Sequence, residues 1–364
     1  MKTSRRKFIA GAGSVVAASS LGAFGAKPER ASNNSVTARA NTNSIIDCQS
    51  HLFSPEIVAL MEKRSSDPRV FIRDGTRCVQ MGEWLRKILP HYLDVEAKLR
   101  TMDANGITLT ALSINDPGPE WFGDEGPAVA RLANDFVAGI VRKHPTRFIG
   151  LCVLPLQNQK AAEVELERCV NQLKLKGILL YTNLAGHFPD EPQFRWLFSR
   201  AAELQLPVLL HPARPTTIEL VKGYEMTSSL GNMFDNTIAL TRIIMSGILD
   251  QHLNLKLVCP HLGGTLPYII GRLDHQTQVL KRGPKYLTRA PSEYLRQVWL
   301  DIVSPLPLAM RFAYDFMGAE RLLFASDHPW VEPELILKAL RNLHLPAADE
   351  KRILSTNAEL LFSL

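Results

Sequence analysis

The sequence predicts a single α/β domain of the (β/α)8 TIM-barrel class, which starts near residue 41 of the 364-residue chain. Three observations support this prediction. Eight short apolar segments alternate with stretches of helical periodicity. Most of these segments are apolar throughout, as parallel strands covered by helices on both faces are. No G-x-G-x-x-G motif follows the first segment, which removes the main support for an open dinucleotide-binding sheet.

The predicted strands follow one another along the whole domain. They are residues 44–48, 109–114, 148–154, 177–181, 206–210, 255–259, 298–301 and 322–326. Helical spacing of apolar residues predicts helices that include 162–173, 193–204 and 335–343. The segment 54–99 is longer than an ordinary connection, so we expect it to contain helices and an insertion over the mouth of the barrel.

The first forty residues have the features of an export signal followed by a linker. Ser4-Arg5-Arg6-Lys7-Phe8-Ile9 closely matches the twin-arginine motif, and a run of Ala, Gly, Ser and Val follows it. That run is too short and too rich in Gly and Ser to span a bilayer stably. We therefore expect the twin-arginine machinery to deliver the protein to the periplasm or the exterior, with no membrane contact after the signal is removed.

The positive charge of the chain belongs to this signal. Residues 1–40 contain seven Lys or Arg residues and one acid, Glu29, so the whole formal charge of +6 lies there. The remainder is neutral, and we expect no nucleic-acid partner. The five cysteines include no C-x-x-C pair, which predicts free buried thiols rather than a disulfide framework or a structural zinc site.

Polar residues follow four of the predicted strands at their carboxyl ends, where barrel enzymes carry their chemistry. Gln49 and His51 follow the first strand and share one face by strand alternation. His211 follows the fifth strand, His261 the sixth and Asp327 the eighth. Imidazoles with one carboxylate make a typical transition-metal catalytic site with room for a water molecule.

These strand-end segments resemble a known family. In their order and spacing they are similar to the aminocarboxymuconate semialdehyde decarboxylase-like branch of the amidohydrolase superfamily, and the resemblance spans the mature chain. The segments are Ile46-Asp47-x-Gln49-x-His51, Leu210-His211-Pro212, His261-Leu262-Gly263-Gly264, Ala325-Ser326-Asp327-His328-Pro329 and Asn357-Ala358-Glu359-Leu360-Leu361. The resemblance implies an amidohydrolase-type barrel.

The resemblance also implies roles for particular residues. His51, His211 and Asp327 would bind the metal, and His261 would act as a catalytic acid or base or orient water. Arg272 resembles an arginine that reaches the site of a neighbouring subunit and binds a substrate carboxylate, which predicts a homodimer. The alternative for Arg272 is a solvated helix residue.

Gln49 stands where the family motif has its first histidine. An amide oxygen is a harder and weaker donor than imidazole, which lowers metal affinity and shifts the preference from zinc toward manganese or magnesium. Gln49 could instead only bind water. The fourth strand ends in Tyr181-Thr182-Asn183 without a lysine, so a second metal ion bridged by a carbamylated lysine is not expected.

Three functions fit these residues, and we favour the first because the resemblance covers the whole barrel. The first is decarboxylation of a small unsaturated or aromatic carboxylic acid, with Asp327 or His261 handling the proton added to carbon. The second is hydrolysis of a lactone or amide, with Asp327 accepting a proton from an activated water. The third is an exported binding barrel without catalysis, decayed at Gln49. Trp330 is either a wall of the substrate pocket or a half-buried aromatic.

The export signal yields a direct prediction. Replacing both Arg5 and Arg6 with lysine should trap the protein in the cytoplasm, because the twin-arginine machinery reads the paired guanidinium side chains. Fractionation followed by immunoblotting measures the distribution. Delivery of the lysine variant across the membrane at the level of the unaltered chain would contradict the assignment.

Overall fold

Eight parallel strands curl into a nearly closed barrel with helices around it, as the sequence predicts. The computed structural model describes residues 44–364. The predicted signal, its twin-arginine motif and the linker therefore lie outside the described residues. The barrel strands, in the order in which they pair, are β1 (Ile45–Leu52), β5 (Ile107–Ile114), β6 (Phe148–Cys152), β7 (Gly177–Tyr181), β8 (Val208–His211), β9 (Leu257–Cys259), β10 (Trp299–Asp301) and β11 (Leu322–Leu323).

Helices connect the barrel strands and cover the outside of the sheet. The predicted helices near 162–173, 193–204 and 335–343 are present, each shifted by no more than a few residues. The helices are α1 (Pro55–Glu62), α2 (Val95–Ala104), α3 (Gly126–Lys143), α4 (Gln159–Asn171), α5 (Arg195–Glu203), α6 (Ile218–Val221), α7 (Asn232–Met245), α8 (Ile248–Gln251), α9 (Leu266–Asp274), α10 (Pro291–Leu295), α11 (Pro307–Met317), α12 (Pro333–Arg341), α13 (Ala347–Lys351) and α14 (Asn357–Phe362).

The barrel closes between β1 and the segment that follows β11. Three backbone hydrogen bonds join the two: Cys48 N donates to Phe324 O at 3.0 Å, Asp327 N to Gln49 O at 2.9 Å, and His51 N to His328 O at 2.8 Å. We call this junction the seam. The seam places the loop after β11 directly beside the end of β1.

The segment between β1 and β5 contains helices and an insertion, as expected for residues 54–99, and the insertion is a small sheet. Helices α1 and α2 are present there, but between them lie three antiparallel strands, β2 (Arg69–Arg73), β3 (Thr76–Met81) and β4 (Trp84–Ile88). The turn between β2 and β3 is Asp74-Gly75, and both residues have positive φ. Asp-Gly in such a two-residue loop is a strong hairpin signal, so the hairpin is encoded locally.

The barrel interior is packed with apolar side chains. All residues of β1, β6 and β7 are buried, in keeping with parallel strands covered on both sides. All five cysteines are buried and free, so the prediction of unpaired thiols is confirmed. No helix in residues 44–364 combines the length and apolarity that a membrane span requires.

Candidate active site

Three of the predicted ligands converge at the carboxyl end of the barrel. His51 lies near the end of β1, His211 is the last residue of β8, and Asp327 follows β11. The Oδ1 atom of Asp327 is 3.2 Å from His51 Nε2 and 3.6 Å from His211 Nε2. One possible metal-binding atom from each of the three residues lies within 4.8 Å of the others, and all three side chains are buried.

In each of the two ligand histidines, the ring nitrogen Nδ1, which points away from Asp327, is fixed by a hydrogen bond. His51 Nδ1 lies 2.7 Å from Ser113 Oγ, and His211 Nδ1 lies 2.7 Å from the carbonyl oxygen of Pro212. With the carbonyl as acceptor, His211 carries its proton on Nδ1, and the lone pair of Nε2 faces Asp327. Such outer contacts set the orientation and tautomer that a metal ligand needs.

The charges of the ligand groups suit a cation. Burial and the neighbouring His211 lower the pKa of His51 to about 4, against the opposing effect of Asp327. Burial alone would raise the pKa of Asp327, but the neighbouring His211, His261 and His51 side chains hold it well below its usual range. The site therefore offers a neutral imidazole and an ionised carboxylate near neutral pH, the forms that bind metal.

The residues present fit a single divalent metal ion. Within residues 44–364, His211 Nε2 is buried without a hydrogen-bond partner, although a buried polar atom ordinarily has one. Two imidazoles and a carboxylate match the three protein ligands of a catalytic metal site, which keeps further positions open. Tyr181, at the end of β7, places its ring edge-on to His211 with the ring centroids 6.0 Å apart.

Gln49 lies on the same face of β1 as His51, as strand alternation predicts, and it is buried. Its Nε2 donates to Asp327 Oδ1 at 3.1 Å. An amide nitrogen cannot bind a metal, so in this orientation Gln49 positions the Asp327 carboxylate. Its role as a metal ligand, directly or through water, remains a prediction.

His261 lies on the other side of the Asp327 carboxylate. Its Nε2 is 3.4 Å from Asp327 Oδ2, and Asn236 Nδ2 donates to its Nδ1 at 3.1 Å. Asp301 Oδ1 accepts from the backbone N–H of His261 at 2.7 Å. Burial lowers the pKa of His261, but the hydrogen bond and charge of Asp327 and the charge of Asp301 outweigh it, so the pKa is raised. His261 can therefore carry a proton beside the metal ligands.

A cavity of about 700 Å³ opens above these residues. His211, His261 and Asp327 form part of its floor, and Trp330 forms part of its wall, as one of the two alternatives for that residue predicts. Trp330 is fixed by a hydrogen bond from its Nε1 to Asn115 Oδ1 at 2.8 Å. A cavity of this size accommodates a small organic molecule.

Arg86 is a wall residue that sequence reasoning missed. Its guanidinium carbon lies 4.2 Å from the ring centroid of Trp84 and 4.6 Å from that of Trp330, and its Nη2 lies 2.5 Å from Asp116 Oδ1. Trp84 and Arg86 are two residues apart in β4, so strand alternation places both side chains on one face. This spacing is a local signal that could have predicted their contact. The sequence predicted an insertion over the barrel mouth, but not that a strand of it would place Arg86 in the cavity wall.

Arg272 is exposed near the end of α9 and does not line the cavity of its own barrel. It borders a separate surface groove together with Leu273 and His275. Its exposure fits a solvated helix residue, and its contact with a substrate in a neighbouring subunit remains a prediction.

Comparison with known proteins identifies the family. The family model described as Amidohydrolase matches residues 46–364. A gamma-resorcylate decarboxylase of Rhizobium sp. (strain MTP-10005) is 30% identical over 300 residues, which cover 78% of this chain and 91% of that protein. A 2-amino-3-carboxymuconate-6-semialdehyde decarboxylase of Dictyostelium discoideum is 26% identical over 301 residues, covering 80% of this chain and 83% of that protein.

A solved structure adds a metal to this comparison. It is a dihydroxybenzoic acid decarboxylase from Polaromonas sp. JS666 with bound manganese and the inhibitor 2-nitroresorcinol. It is 27% identical, covers 88% of this chain and 97% of that chain, and has a TM-score of 0.74. The family model spans the barrel, and relatives of the predicted branch match over most of its length. The chain therefore belongs to the amidohydrolase family.

Proposed function

We propose that the protein is a metal-dependent decarboxylase, a carboxy-lyase, of a small aromatic carboxylic acid. The observation that carries the proposal is the donor set of His51, His211 and Asp327, which faces a cavity with a cation and two indole rings in its wall. The relatives support the reaction class, because gamma-resorcylate and 2-amino-3-carboxymuconate-6-semialdehyde decarboxylases both remove a carboxyl group.

The cavity wall supports an aromatic acid as the substrate. Trp84 and Trp330 flank the guanidinium of Arg86, and all three line the cavity. Indole rings provide apolar surfaces against which an aromatic ring can pack. The guanidinium fork matches a carboxylate in shape and charge. Within residues 44–364, Arg86 Nε has no hydrogen-bond partner, so the ion pair with Asp116 does not use all of its donors.

In the proposed reaction, the bond between the ring carbon and the carboxyl carbon breaks, and its electron pair stays on the ring carbon. His51, His211 and Asp327 would hold a divalent ion, which would supply Lewis-acid stabilisation of the charge on the substrate oxygens. We assign His261 and Asp327 to the proton that the ring carbon receives as carbon dioxide leaves. The 3.4 Å contact between His261 Nε2 and Asp327 Oδ2 allows the two groups to share that proton.

The identity of the metal is a separate proposal. Gln49 supplies an amide in place of the imidazole of the family motif, which favours manganese or magnesium over zinc. Manganese is bound in the Polaromonas relative. We propose manganese as the ion, with Gln49 orienting Asp327 or binding the metal weakly.

We also propose that the protein works as a homodimer. An apolar patch formed by Tyr268, Leu306, Leu308 and Phe312 is exposed on and beside α9 and α11. Exposed apolar patches mark interaction sites more often than ordinary surface does. Arg272 lies on the same helix as Tyr268, so a partner packed on this patch could receive Arg272 in its cavity.

We also propose that the protein is exported through the twin-arginine pathway. The proposal rests on the paired arginines Arg5 and Arg6 and the run of small and apolar residues that follows them.

Removal of a ligand tests the metal site. His211→Ala should lose nearly all bound metal, because it removes one of three protein ligands, whereas Gln49→His should raise zinc affinity by adding an imidazole. Elemental analysis and metal titration measure both effects. The matched control is His187→Ala, whose side chain is 64% exposed on a surface loop. Full metal content in His211→Ala would refute the assignment.

Replacement of His261 tests the reaction. His261 and His344 both have positive φ, a conformation that asparagine tolerates better than alanine does. His261→Asn should keep the fold and the metal but lose on the order of a hundredfold in turnover, because it cannot transfer a proton. His344→Asn, at an exposed position, is the control. The assay is carbon dioxide release from hydroxybenzoic acids. Lactone opening without carbon dioxide release would favour hydrolysis instead.

Subunit complementation tests the dimer and the position of Arg272 together. Arg272→Ala and His261→Asn should each be nearly inactive alone. A mixed dimer of the two variants contains one site with both native residues, so mixing and refolding them should restore turnover. Sedimentation measures the assembly. A fully active monomer, or mixed dimers without recovered activity, would remove the shared role of Arg272.

A further inference from the structure

Lys98 of α2 is a buried cation close to the metal ligands, although it lines no part of the cavity. Its side chain is almost completely inaccessible, with 1% of the residue exposed. Its Nζ donates to Ser50 Oγ at 2.6 Å and to the carbonyl oxygen of His328 at 3.2 Å, and it lies 2.7 Å from His328 Nδ1. An ammonium has three hydrogens, and here each one has an acceptor. Fully buried lysines are rare unless they are paired in this way.

The partners of Lys98 lie beside the ligands on both sides of the seam. Ser50 stands between Gln49 and His51, and His328 follows Asp327. Ser50 Oγ also donates to the His328 carbonyl at 3.1 Å, and His51 N donates to the same oxygen at 2.8 Å. The carbonyl oxygen of His328 thus accepts hydrogen bonds from Lys98, Ser50 and His51. The ammonium of Lys98 therefore links the segment that carries His51 to the segment that carries Asp327.

The backbone at Asp327 needs such support. Its φ is +59°, a left-handed conformation that side chains other than glycine adopt at a cost. The regular strand β11 ends at Leu323, so no continuous ladder fixes the next residues. The contacts of His328, with Ser326 Oγ accepting from its N–H at 3.1 Å and Lys98 donating to its carbonyl, hold the peptide after Asp327 in place.

From this arrangement we propose that Lys98 is a positioning residue of the metal centre. It fixes His328 and the seam, and through them it holds the Asp327 carboxylate where His51 and His211 can share a metal ion with it. An ammonium can only donate, so His328 Nδ1 must accept and the imidazole must carry its hydrogen on Nε2. The proposal rests on the metal site of the proposed function but not on the reaction that the site catalyses.

The experiment compares two lysine variants by two measurements that need no substrate. Lys98→Met removes the ammonium and keeps an unbranched side chain that is one atom shorter. Lys256→Met is the matched control, because Lys256 Nζ also donates to backbone oxygens, Leu361 O at 2.9 Å and Leu360 O at 3.4 Å, but its partners lie in the C-terminal helix, away from the ligands. The measurements are the Mn²⁺ dissociation constant and the ¹⁵N NMR spectrum of the histidine side chains.

We expect Lys98→Met to weaken Mn²⁺ binding by about tenfold or more, the size of effect seen when groups behind metal ligands are removed. The unaltered protein should show His328 as the neutral Nε2–H tautomer, and Lys98→Met should change that signal. Lys256→Met should leave both the affinity and the signal unchanged, even if it lowers stability.

Wild-type Mn²⁺ affinity in a folded Lys98→Met variant would overturn the proposal, and so would an Nδ1–H tautomer of His328 in the unaltered protein. If Lys98→Met does not fold, Ser50→Ala replaces it, because it removes one link of the same network with little change in volume. Ser50→Ala should also weaken Mn²⁺ binding, and unchanged affinity would again overturn the proposal. A failure to find decarboxylation leaves these measurements intact, so the two hypotheses can fail separately.

Discussion

The carboxylate of Asp327 is the group on which the rest of the site depends. Its Oδ1 faces His51, His211 and Gln49, and its Oδ2 faces His261. These four side chains come from β1, β8 and the loop after β9, so they meet only when the whole barrel is formed. A buried carboxylate is costly unless it is paired or hydrogen-bonded, and here the Gln49 amide donates to it and three imidazoles surround it. The same arrangement leaves imidazole nitrogens facing one carboxylate oxygen, which is what a divalent ion requires.

The seam links the position of the Asp327 carboxylate to the closure of the barrel. Side chains supplement the three backbone hydrogen bonds of the seam: Asp47 accepts from Ser326 N at 2.9 Å and from Ser326 Oγ at 2.6 Å, and Lys98 bridges Ser50 and His328. Burial raises the pKa of Asp47 and lowers that of Lys98, while the charge of each partly offsets the shift in the other. The segment that carries Asp327 can therefore turn away from the direction of β11 while the barrel stays closed.

The insertion sheet contributes part of the cavity wall and none of the predicted metal ligands. It brings Trp84 and Arg86 over the barrel mouth, where Arg86 pairs with Asp116 at the end of β5 and packs against Trp330 after β11. His51 and His211 stand at strand ends and Asp327 on the loop after β11, whereas part of the cavity wall comes from an inserted element. This division is common in barrel enzymes, where the loops and insertions above the strands distinguish one substrate from another.

The sequence alone determined the eight strands, three of the fourteen helices in residues 44–364 and the residues at four strand ends, because hydrophobic periodicity and strand alternation are local properties of the chain. It also predicted that Gln49 and His51 share a face, and the Asp-Gly turn shows that the β2–β3 hairpin was locally encoded as well. Only the tertiary structure decided where that hairpin lies, which way the Gln49 amide points, and that Lys98 meets His328, 230 residues away. Such contacts depend on how distant segments pack when the barrel closes, and no local pattern in the sequence records that geometry.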